Sequence, residues 1–458
     1  MIQKFLISRD LRGPYKFLID SSKNHLEKKY NLNLEYHKFQ NINFNYKCII
    51  FILKNIINFK FFSKKKIMEI KYKNFNISRY AVPEIYKNYY SYLNPFVFYF
   101  ECIKNFYYSA LTLEKAFNSK NIKIKGAFID HGMYRNGILI EYYSKLNIPI
   151  YTMGYPKGLF AIKSINKRKL KYEDLINLRK SRLNSINFNK GKNAINKVIS
   201  KTEIIPWMKG IKFKNKKLDK LNFVTHLIYT HAFTDAQMVY GYDGFRNVLE
   251  WLDFTINQLL IDKNNKIIIK AHPTFFHKKF PTHNALIDQK LFNKLNEKYI
   301  NNKRIIIIKY PIKNNDLLKR LNKKTILISH HGSAILEGLH LGFKCIASTK
   351  TFWDKKFKVT NDWSNINQYK LQLKKNWSEL NFCNKRDLYD ICYQLFCDNY
   401  SLYGKKYWQQ IVSEELKISR RFLYENSADI FYKIKIKDKV MNKIINKISK
   451  TILLANIN

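Results

Sequence analysis

The pattern of apolar and polar positions is clearest in the stretch that begins at Thr325. The apolar run Thr325–Ile328 has the length of a buried parallel strand, a helical pattern starts near Ser333, and Cys345–Ala347 begins a second strand. Gly332 permits a sharp turn before the helix, and Gly342 is placed to end it. The pattern therefore predicts a β-α-β unit.

The polar side of this predicted helix carries candidate binding residues. Ser333 and Glu337 fall on one side, opposite the apolar Ile335, Leu336 and Leu339. A Gly-Ser turn at a helix N-terminus offers N–H and hydroxyl donors to a phosphate, and a carboxylate one turn deeper suits ribose hydroxyls. Alternatively, Ser333 is only an N-cap and Glu337 a solvated residue. This unit alone leaves both interpretations open.

A second β-α-β unit is predicted in the first half, from Gly126 to Tyr151. Its parts are a strand, a turn of Asp130, His131 and Gly132, a helix over Gly137–Leu146 and a further strand. Polar residues at the carboxyl end of a parallel strand face the crevice where α/β sheets bind ligands. Asp130 and His131 are thus catalytic candidates; the alternative is a helix-capping Asp beside a structural His.

The remaining pattern predicts further alternating elements. In the first half we expect strands at Lys4–Ser8, Cys48–Leu53 and Lys71–Ile77 and a helix over Glu84–Phe117. In the second half we expect strands at His226–Tyr229, Lys266–Lys270 and Ile305–Ile308, with a helix over Gly244–Leu260 and another capped by Asn315 or Asp316. Such alternation predicts an α/β fold with doubly wound parallel sheets.

Histidines follow three strands of the second half. His231 follows the first strand together with Asp235, His272 follows the next, and His331 precedes Gly332. Because the carboxyl ends of parallel strands meet at one edge of a sheet, this clustering favours the phosphate-site interpretation. His272 can offer an N–H to a phosphate oxygen, and Pro273 fits a helical first turn because its missing N–H would be unpaired there.

The composition and net charge of the chain limit the classes of binding partner to be expected. The chain of 458 residues carries a formal net charge of +49, but its lysines are spread along the whole length among Asn, Ile, Phe and Tyr. We attribute most of the charge to compositional bias and expect a surface that favours anionic substrates. No RNP-like aromatic block, finger-like Cys and His spacing or isolated basic tail occurs, so nucleic acid is not an expected partner. RNA binding through the basic surface is the alternative.

The cysteines and the most apolar stretches of the sequence indicate in which cellular compartment the chain works. The six cysteines form no C-x-x-C pair, which predicts free thiols in a reducing compartment. No secretory signal is apparent, and the most apolar window, Cys48 to Phe62, is interrupted by lysines and asparagines. We expect a cytoplasmic protein, and association with the inner-membrane surface stays open. Neither D-x-D nor H-E-x-x-H occurs, so no metal and no cofactor are expected.

Two motifs together resemble a known group of enzymes. Lys-Ala-His-Pro after a strand, followed by His-Gly-Ser-x-x-x-Glu-Gly-Leu-x-x-Gly, is similar to the signatures of bacterial surface-polysaccharide glycosyltransferases of GT-B type. Capsule-synthesis proteins, Kdo transferases and relatives of bacterial sialyltransferases are the nearest. The resemblance is strong over about residues 225–350, weaker at the Asp130 turn and absent elsewhere.

The resemblance implies a GT-B-like fold with two Rossmann-type domains facing a cleft and C-terminal helices. We expect an acceptor-side domain at 1–218, a nucleotide-donor domain at 219–375 and a helical tail at 376–458 that crosses back to the first domain. His272 and Ser333 would hold the donor phosphate and Glu337 the ribose. No residue matches the family's catalytic base uniquely. Asp130 and His131 are therefore the first candidates, and Asp235 is the next.

The predicted function is transfer of a sugar from a nucleotide-activated donor to a glycan or lipid-linked acceptor in capsule or lipopolysaccharide biosynthesis. The CMP-linked donor is implied by the resemblance alone. Leaving-group charge would be met by protein donors instead of a metal ion. The alternatives are a CDP-polyol phosphotransferase and a non-catalytic protein that binds nucleotides or phosphoglycans.

Overall fold

The computed structural model describes residues 3–8, 20, 23–24, 27–28, 32–37, 45–55, 67–118, 124–130, 134–146, 148, 150–154, 158–162, 178–200, 221–235, 237–276 and 283–397. Its contacts divide the chain into two compact units. The first unit comprises Met1–Glu84, Tyr99–Ile176 and Cys397–Asn458, and the second comprises Ile85–Phe98 and Asn177–Phe396.

These units interleave along the chain. Residues 85–98 and 177–200, which the sequence-based limits assign to the first domain, pack within the second unit. The predicted boundary at 218/219 lies outside the described residues, as does the predicted tail beyond residue 397.

The described strands are β1 (Gln3–Ser8), β2 (Leu32–His37), β3 (Lys71–Tyr72), β4 (Phe75–Asn76), β5 (Ile124–Asp130), β6 (Ile150–Gly154), β7 (Gly158–Ile162), β8 (His226–Tyr229), β9 (Ile267–Lys270), β10 (Ile305–Ile308), β11 (Ile326–Ser329), β12 (Cys345–Ser348) and β13 (Asn361–Trp363). The described α-helices are α1 (Tyr46–Asn55), α2 (Ser78–Ile85), α3 (Pro95–Asn118), α4 (Tyr134–Lys145), α5 (Ser185–Ser200), α6 (Val248–Leu260), α7 (His283–Tyr299), α8 (Asn314–Leu318), α9 (Ile335–His340), α10 (Ile366–Lys374) and α11 (Lys385–Phe396). Short 3-10 helices cover Tyr89–Tyr92, Pro273–Phe276 and Trp377–Glu379.

The sheet of the second unit has the strand order β10-β9-β8-β11-β12-β13, and every neighbouring pair is parallel. Counted along the chain within this unit, the order is 3-2-1-4-5-6, which is the Rossmann arrangement. The predicted doubly wound parallel sheet is therefore confirmed for this unit. The direction in which the chain winds reverses between β8 and β11.

Both faces of this sheet are covered. Ile267 and Ile269 of β9 point into a core around Trp251, whereas the intervening Ile268 is equally buried on the opposite face. On that opposite face α9 comes so close to β11 that a methyl group on Gly338 would collide with Leu327. Strands buried on both sides explain the uninterrupted apolar runs in the sequence.

The sheet of the first unit has the order β2-β1-β5-β6-β7, with β7 antiparallel and the other pairs parallel. Its winding direction reverses between β1 and β5. The described part of this unit is thus also α/β, as predicted, and Asp130 is the last residue of β5.

Two predictions in the first half are wrong. Cys48–Leu53 lies in helix α1, where Cys48, Phe51 and Ile52 are buried at helical spacing. The single helix predicted over Glu84–Phe117 is instead α2, the Tyr89–Tyr92 turn and α3. The break occurs because the Asn88 side chain caps the Tyr89–Tyr92 turn and the Asn94 side chain accepts from the Phe96 N–H at the start of α3.

The predicted strand Lys71–Ile77 forms the small antiparallel pair β3 and β4. Lys73 and Asn74 at its turn have positive φ angles of 46° and 68°. This two-residue turn folds the segment back on itself. Among the described helices, none combines the length and apolar character that a membrane span requires.

Close packing of α5 on α11 depends on one glycine. A methyl group on Gly191 would collide with the backbone carbonyl oxygen of Tyr389. We expect Gly191→Ala to lower the free energy of unfolding by about 1–3 kcal/mol, because two helix backbones must separate. Chemical denaturation of the purified chain measures this. The exposed neighbour Asn193→Ala is the control, and equal stability of both variants would contradict the packing.

Candidate functional site

Polar side chains lie at the point between β8 and β11 where the winding direction of the sheet reverses. In open α/β sheets ligands bind outside the carboxyl ends of the strands at such a point. His231 follows β8, Lys270 ends β9, His272 follows β9, and His331 follows β11. We call this set of residues the switch-point edge.

The structure brings the three predicted histidines together. The ring centroids of His231 and His331 are 3.9 Å apart, and those of His231 and His272 are 6.0 Å apart. His331 is buried, whereas His231 and His272 are half-buried. The short 3-10 helix after β9 begins at Pro273, as its sequence position suggests.

All three histidines are neutral at pH 7. Burial, together with His231 and Lys270, lowers the pKa of His272 to about 3. Burial also lowers the pKa of His231 and drives that of His331 well below its usual range. Each ring therefore offers one donor and one acceptor and supplies no positive charge to a ligand.

The hydrogen bond of His231 fixes its tautomer. Its Nδ1 lies 3.0 Å from the carbonyl oxygen of Ala232, which can only accept. Nδ1 must therefore carry the proton, and Nε2 of the neutral ring is left with a lone pair. That atom can accept a hydrogen bond from a hydroxyl group.

Lys270 is the cation of the switch-point edge, and the sequence-based set of site residues did not include it. Its side chain is 6% exposed, and burial lowers the pKa of its amine to about 8, opposed by the nearby Glu337. The amine donates no hydrogen bond to any described residue, and it lies 5.7 Å from the centroid of the Tyr229 ring. The available signal was a charged residue closing the apolar strand Ile267–Lys270.

The turn before α9 differs from its predicted form. The helix begins at Ile335, two residues after Ser333, and its N-cap is Ala334 with no side-chain cap. The turn is held instead by Ser329, whose Oγ accepts from the Gly332 N–H at 3.1 Å. Ser333 is thus not an N-cap, and the six-residue helix weakens the helix-dipole argument for a phosphate.

Glu337 lies in the first turn of α9. Its charge raises the pKa of the Lys270 amine against the larger effect of burial, and it adds to the burial that raises the pKa of Tyr229. The Glu337 carboxylate therefore acts at the carboxyl ends of β8 and β9. It can accept hydrogen bonds from ligand hydroxyls there.

The structure also describes two of the other predicted catalytic residues, Asp235 and Asp130. Asp235 is exposed after β8, and its charge favours the protonated form of His231 against burial. Asp130 ends β5 beside the reversal point of the first sheet, and His131 lies outside the described residues. Their roles stay predictions.

The sequence-based set of site residues also did not include His330, which contacts His331, or Asp243, which contacts His330. His330 Nε2 lies 2.8 Å from a carboxylate oxygen of Asp243, and both side chains are buried. In the part of the chain that the structure describes, no group of three His, Cys, Asp or Glu side chains could hold a metal ion. A cavity of about 370 Å³ in this unit lies at the amino ends of the strands, near His226 and Asn265.

The arrangement suits a particular kind of ligand. Lys270 offers a positive charge to an anion, while Glu337 and Nε2 of His231 offer acceptors to hydroxyl groups. A ligand that carries both a phosphate and several hydroxyls satisfies all three residues.

No protein-family model matches the sequence, and no curated protein matches it. Solved structures similar to this chain include KpsC of Thermosulfurimonas dismutans, a beta Kdo 2,4 transferase, at 12% identity and a TM-score of 0.37, over 60% of this chain and 80% of that chain. The UDP-GlcNAc 2-epimerase of Methanocaldococcus jannaschii, in complex with UDP-GlcNAc and UDP, aligns at 13% identity and a TM-score of 0.25, over 85% of this chain and 98% of that chain. MnaA of S. aureus with UDP aligns at 13% identity and a TM-score of 0.25, over 91% and 97%.

The buried amine predicts a measurable stability effect. The ordinary pKa of 10.5 falls to about 8 in the folded chain, so protonated Lys270 destabilises folding by about 3 kcal/mol at pH 7. We expect Lys270→Met to raise the free energy of unfolding at pH 7 by up to this amount. This difference in stability between variant and wild type should shrink as the pH rises from 8 to 10.5. In that range the Lys270 amine has lost its proton in the folded chain but still keeps it in the unfolded chain, which favours folding of the wild type.

Denaturant titrations between pH 7 and 10.5 measure this difference. Exposed Lys294 of α7 supplies the control Lys294→Met, which should show no such trend. A Lys270→Met chain less stable than wild type at pH 7 would contradict the destabilising effect of the buried amine.

Proposed function

We propose that this chain is a glycosyltransferase of surface-polysaccharide biosynthesis that uses a nucleotide-activated sugar. The single observation that carries the proposal is the buried side chain of Lys270, whose amine donates no hydrogen bond to a described residue, among neutral histidines at the reversal point of a Rossmann-type sheet. A buried amine without a partner costs free energy, and an anionic ligand offsets that cost.

The binding roles follow from the chemistry of each side chain. Lys270 pairs with a phosphate oxygen, and His272 donates an N–H to the same group. Ser333 of the Gly332–Ser333 turn adds its backbone N–H and its hydroxyl, while Glu337 accepts from the nucleotide ribose. His231 accepts from a sugar hydroxyl through Nε2.

The transfer step needs a base and compensation for the charge of the leaving group. The acceptor hydroxyl loses its proton to the base, its oxygen bonds to the anomeric carbon, and the bond from that carbon to the phosphate oxygen breaks. Lys270 meets the charge that develops on the phosphate. We assign the base to Asp130, with His131 and then Asp235 as the next candidates.

The donor and acceptor follow from the resemblance of the two motifs. A CMP-linked sugar is the preferred donor, and a glycan or a lipid-linked glycan of capsule or lipopolysaccharide is the acceptor. The reaction would take place in the cytoplasm, on the inner-membrane surface when the acceptor is lipid-linked. A CDP-polyol phosphotransferase would share the phosphate site but would form no glycosidic bond.

Nucleotide binding is the first test. A ligand that binds only the folded chain raises its melting temperature according to its affinity, so we compare CMP, CDP, UDP, GDP and ADP at matched concentrations. We expect selective stabilisation by one of them, CMP in the preferred case. His272→Ala and Ser333→Ala should each weaken binding by about 1–3 kcal/mol, because each removes a hydrogen bond to a charged group.

The controls for this test are His340→Ala and Ser364→Ala. Both residues lie in the second unit, where His340 contacts the Tyr389 hydroxyl and Ser364 contacts Gln368. Both variants should bind as wild type does. A chain that no nucleotide stabilises would refute the nucleotide-sugar donor and favour a protein that binds phosphoglycans.

Asp130 separates an enzyme from a binding protein. Asp130→Asn keeps the shape of the side chain but removes its basicity, so we expect nucleotide binding to persist and sugar transfer to fall about 100-fold or more. Radiolabelled sugar transfer at saturating donor measures this. Unchanged turnover would remove Asp130 as the base and move the assignment to His131 or Asp235.

A further inference from the structure

Large apolar side chains are exposed where the chain enters α3. Tyr90 is 60% exposed, Leu93 39%, Phe96 84% and Phe100 65%. Phe96 and Phe100 lie one turn apart on the same side of α3, and the other two residues come just before this helix. Single exposed apolar residues are common on protein surfaces, whereas a group of them in one short segment marks an interaction site. We call these four residues the aromatic patch.

The aromatic patch stands on a buried base. Tyr86 and Phe98 of the same segment are buried, and their ring centroids are 5.8 Å apart. The Tyr92 ring lies 5.1 Å from the Tyr86 ring, and the Tyr92 hydroxyl donates to the carbonyl oxygen of Phe233. These inward side chains fix the backbone of the segment. Phe96 therefore cannot turn inward unless this packing is broken.

The first turn of α3 has no N–H group that needs water. A helix N-terminus normally leaves several N–H groups to the solvent. Here Pro95 has no N–H, and the Asn94 side chain accepts from the N–H groups of Phe96 and Val97 at 2.8 and 3.3 Å. The Asn94 carbonyl oxygen accepts from the N–H of Phe98. This turn can therefore enter an apolar medium without stranding a donor, which is the condition that lipid imposes on a backbone.

The charges around the aromatic patch are positive. Lys87 precedes the patch, and Nζ of Lys290 lies 5.7 Å from the centroid of the Tyr89 ring. The only acidic residue between Lys87 and Lys104 is Glu101, which is buried and accepts from the Lys104 amine. An apolar surface with lysines beside it and no exposed carboxylate in its segment matches an anionic lipid surface, where amines meet phosphate groups and apolar side chains enter the acyl region.

We propose that the aromatic patch docks on a membrane surface of anionic phospholipids, with Phe96 and Phe100 inserted among the acyl chains and the lysines at the headgroups. The Tyr90 hydroxyl then lies at headgroup level, where tyrosine is favoured. Docking requires no nucleotide. The inference rests on the proposed function only for its purpose, which is access to a lipid-linked acceptor.

Fluorescence quenching measures insertion directly. The full chain is mixed with vesicles of phosphatidylcholine and phosphatidylglycerol whose acyl chains carry bromine, which quenches a tryptophan that enters the bilayer. The emission added by Phe96→Trp is compared with that added by Phe223→Trp, at a phenylalanine that is 54% exposed elsewhere in the second unit. We expect quenching of the first and none of the second. Equal behaviour of the two variants would overturn the proposal.

Vesicle affinity separates insertion from the general attraction of a chain with a net charge of +49. Salt at about 1 M shortens the screening length to about 3 Å, so the electrostatic part is removed and the apolar part remains. Co-sedimentation with unbrominated vesicles at this salt measures the affinity. We expect Phe96→Ser to weaken binding about tenfold, and the double variant with Phe100→Ser to weaken it further, because apolar area leaves the bilayer.

Phe223→Ser is the matched control and should bind as wild type does. All three side chains are exposed, so the variants should melt at the wild-type temperature; if the double variant melts lower, the quenching experiment decides. Wild-type affinity in the double variant, or no binding of the wild type to vesicles, would overturn the proposal.

A second copy of the chain is the competing occupant of the aromatic patch. It would give a dimer in vesicle-free solution that dissociates on dilution and is lost in the double variant. Light scattering over a range of concentrations measures this. We expect the wild type and the double variant to have the same molar mass at every concentration. A dimer that disappears in the double variant would overturn docking on lipid.

Failure of the proposed function has a different signature. Vesicle binding needs neither nucleotide nor acceptor, so it is measured even if no nucleotide stabilises the chain. If the chain transfers sugar, the double variant should lose about tenfold in activity on an acceptor held in vesicles and keep wild-type activity on the same glycan in solution. An equal loss on both acceptors would overturn docking as the role of the patch.

Discussion

The second unit depends on burial of its parallel sheet on both faces. Because Ile267, Ile268 and Ile269 are all buried, polar groups have no place within β9 and can lie only where the strands end. The order of the strands then decides which ends meet. Reversal between β8 and β11 brings the residues after these two strands together, and this explains why His231 and His331 are in ring contact.

Among the buried charged residues of the second unit, Lys270 and Asp243 lie at or beside the switch-point edge. Lys270 closes β9 and donates no hydrogen bond to a residue that the structure describes, whereas Asp243 accepts from the Ser348 hydroxyl and contacts His330. An unmatched charge is costly and is retained where a ligand supplies the opposite sign, whereas a matched pair can orient a neighbour.

The sequence predicted the second unit well because its strands are short apolar runs bounded by turns. β8 and β10 begin and end at the predicted residues, and the histidines at the strand ends follow from this placement. The elements of the first half were harder to predict. The apolar residues in the middle of α1 form a short continuous run that is typical of a strand, although they are buried at helical spacing. The start of α9 shifted because Ser329, and not Ser333, holds the preceding turn.

The partners of His331 could not be predicted from the sequence. Asp243 and His330 are far apart along the chain, and only the pairing of β11 with β12 brings Ser348 to them. Lys270, by contrast, was visible as a charge at the end of an apolar strand.

Amide hydrogen exchange on the full chain, with and without a saturating nucleotide, tests most directly whether the switch-point edge is the ligand site. We predict protection confined to residues 229–235, 270–276 and 330–337. Protection at the opposite ends of the same strands, around 222–226 and 322–326, would contradict the account.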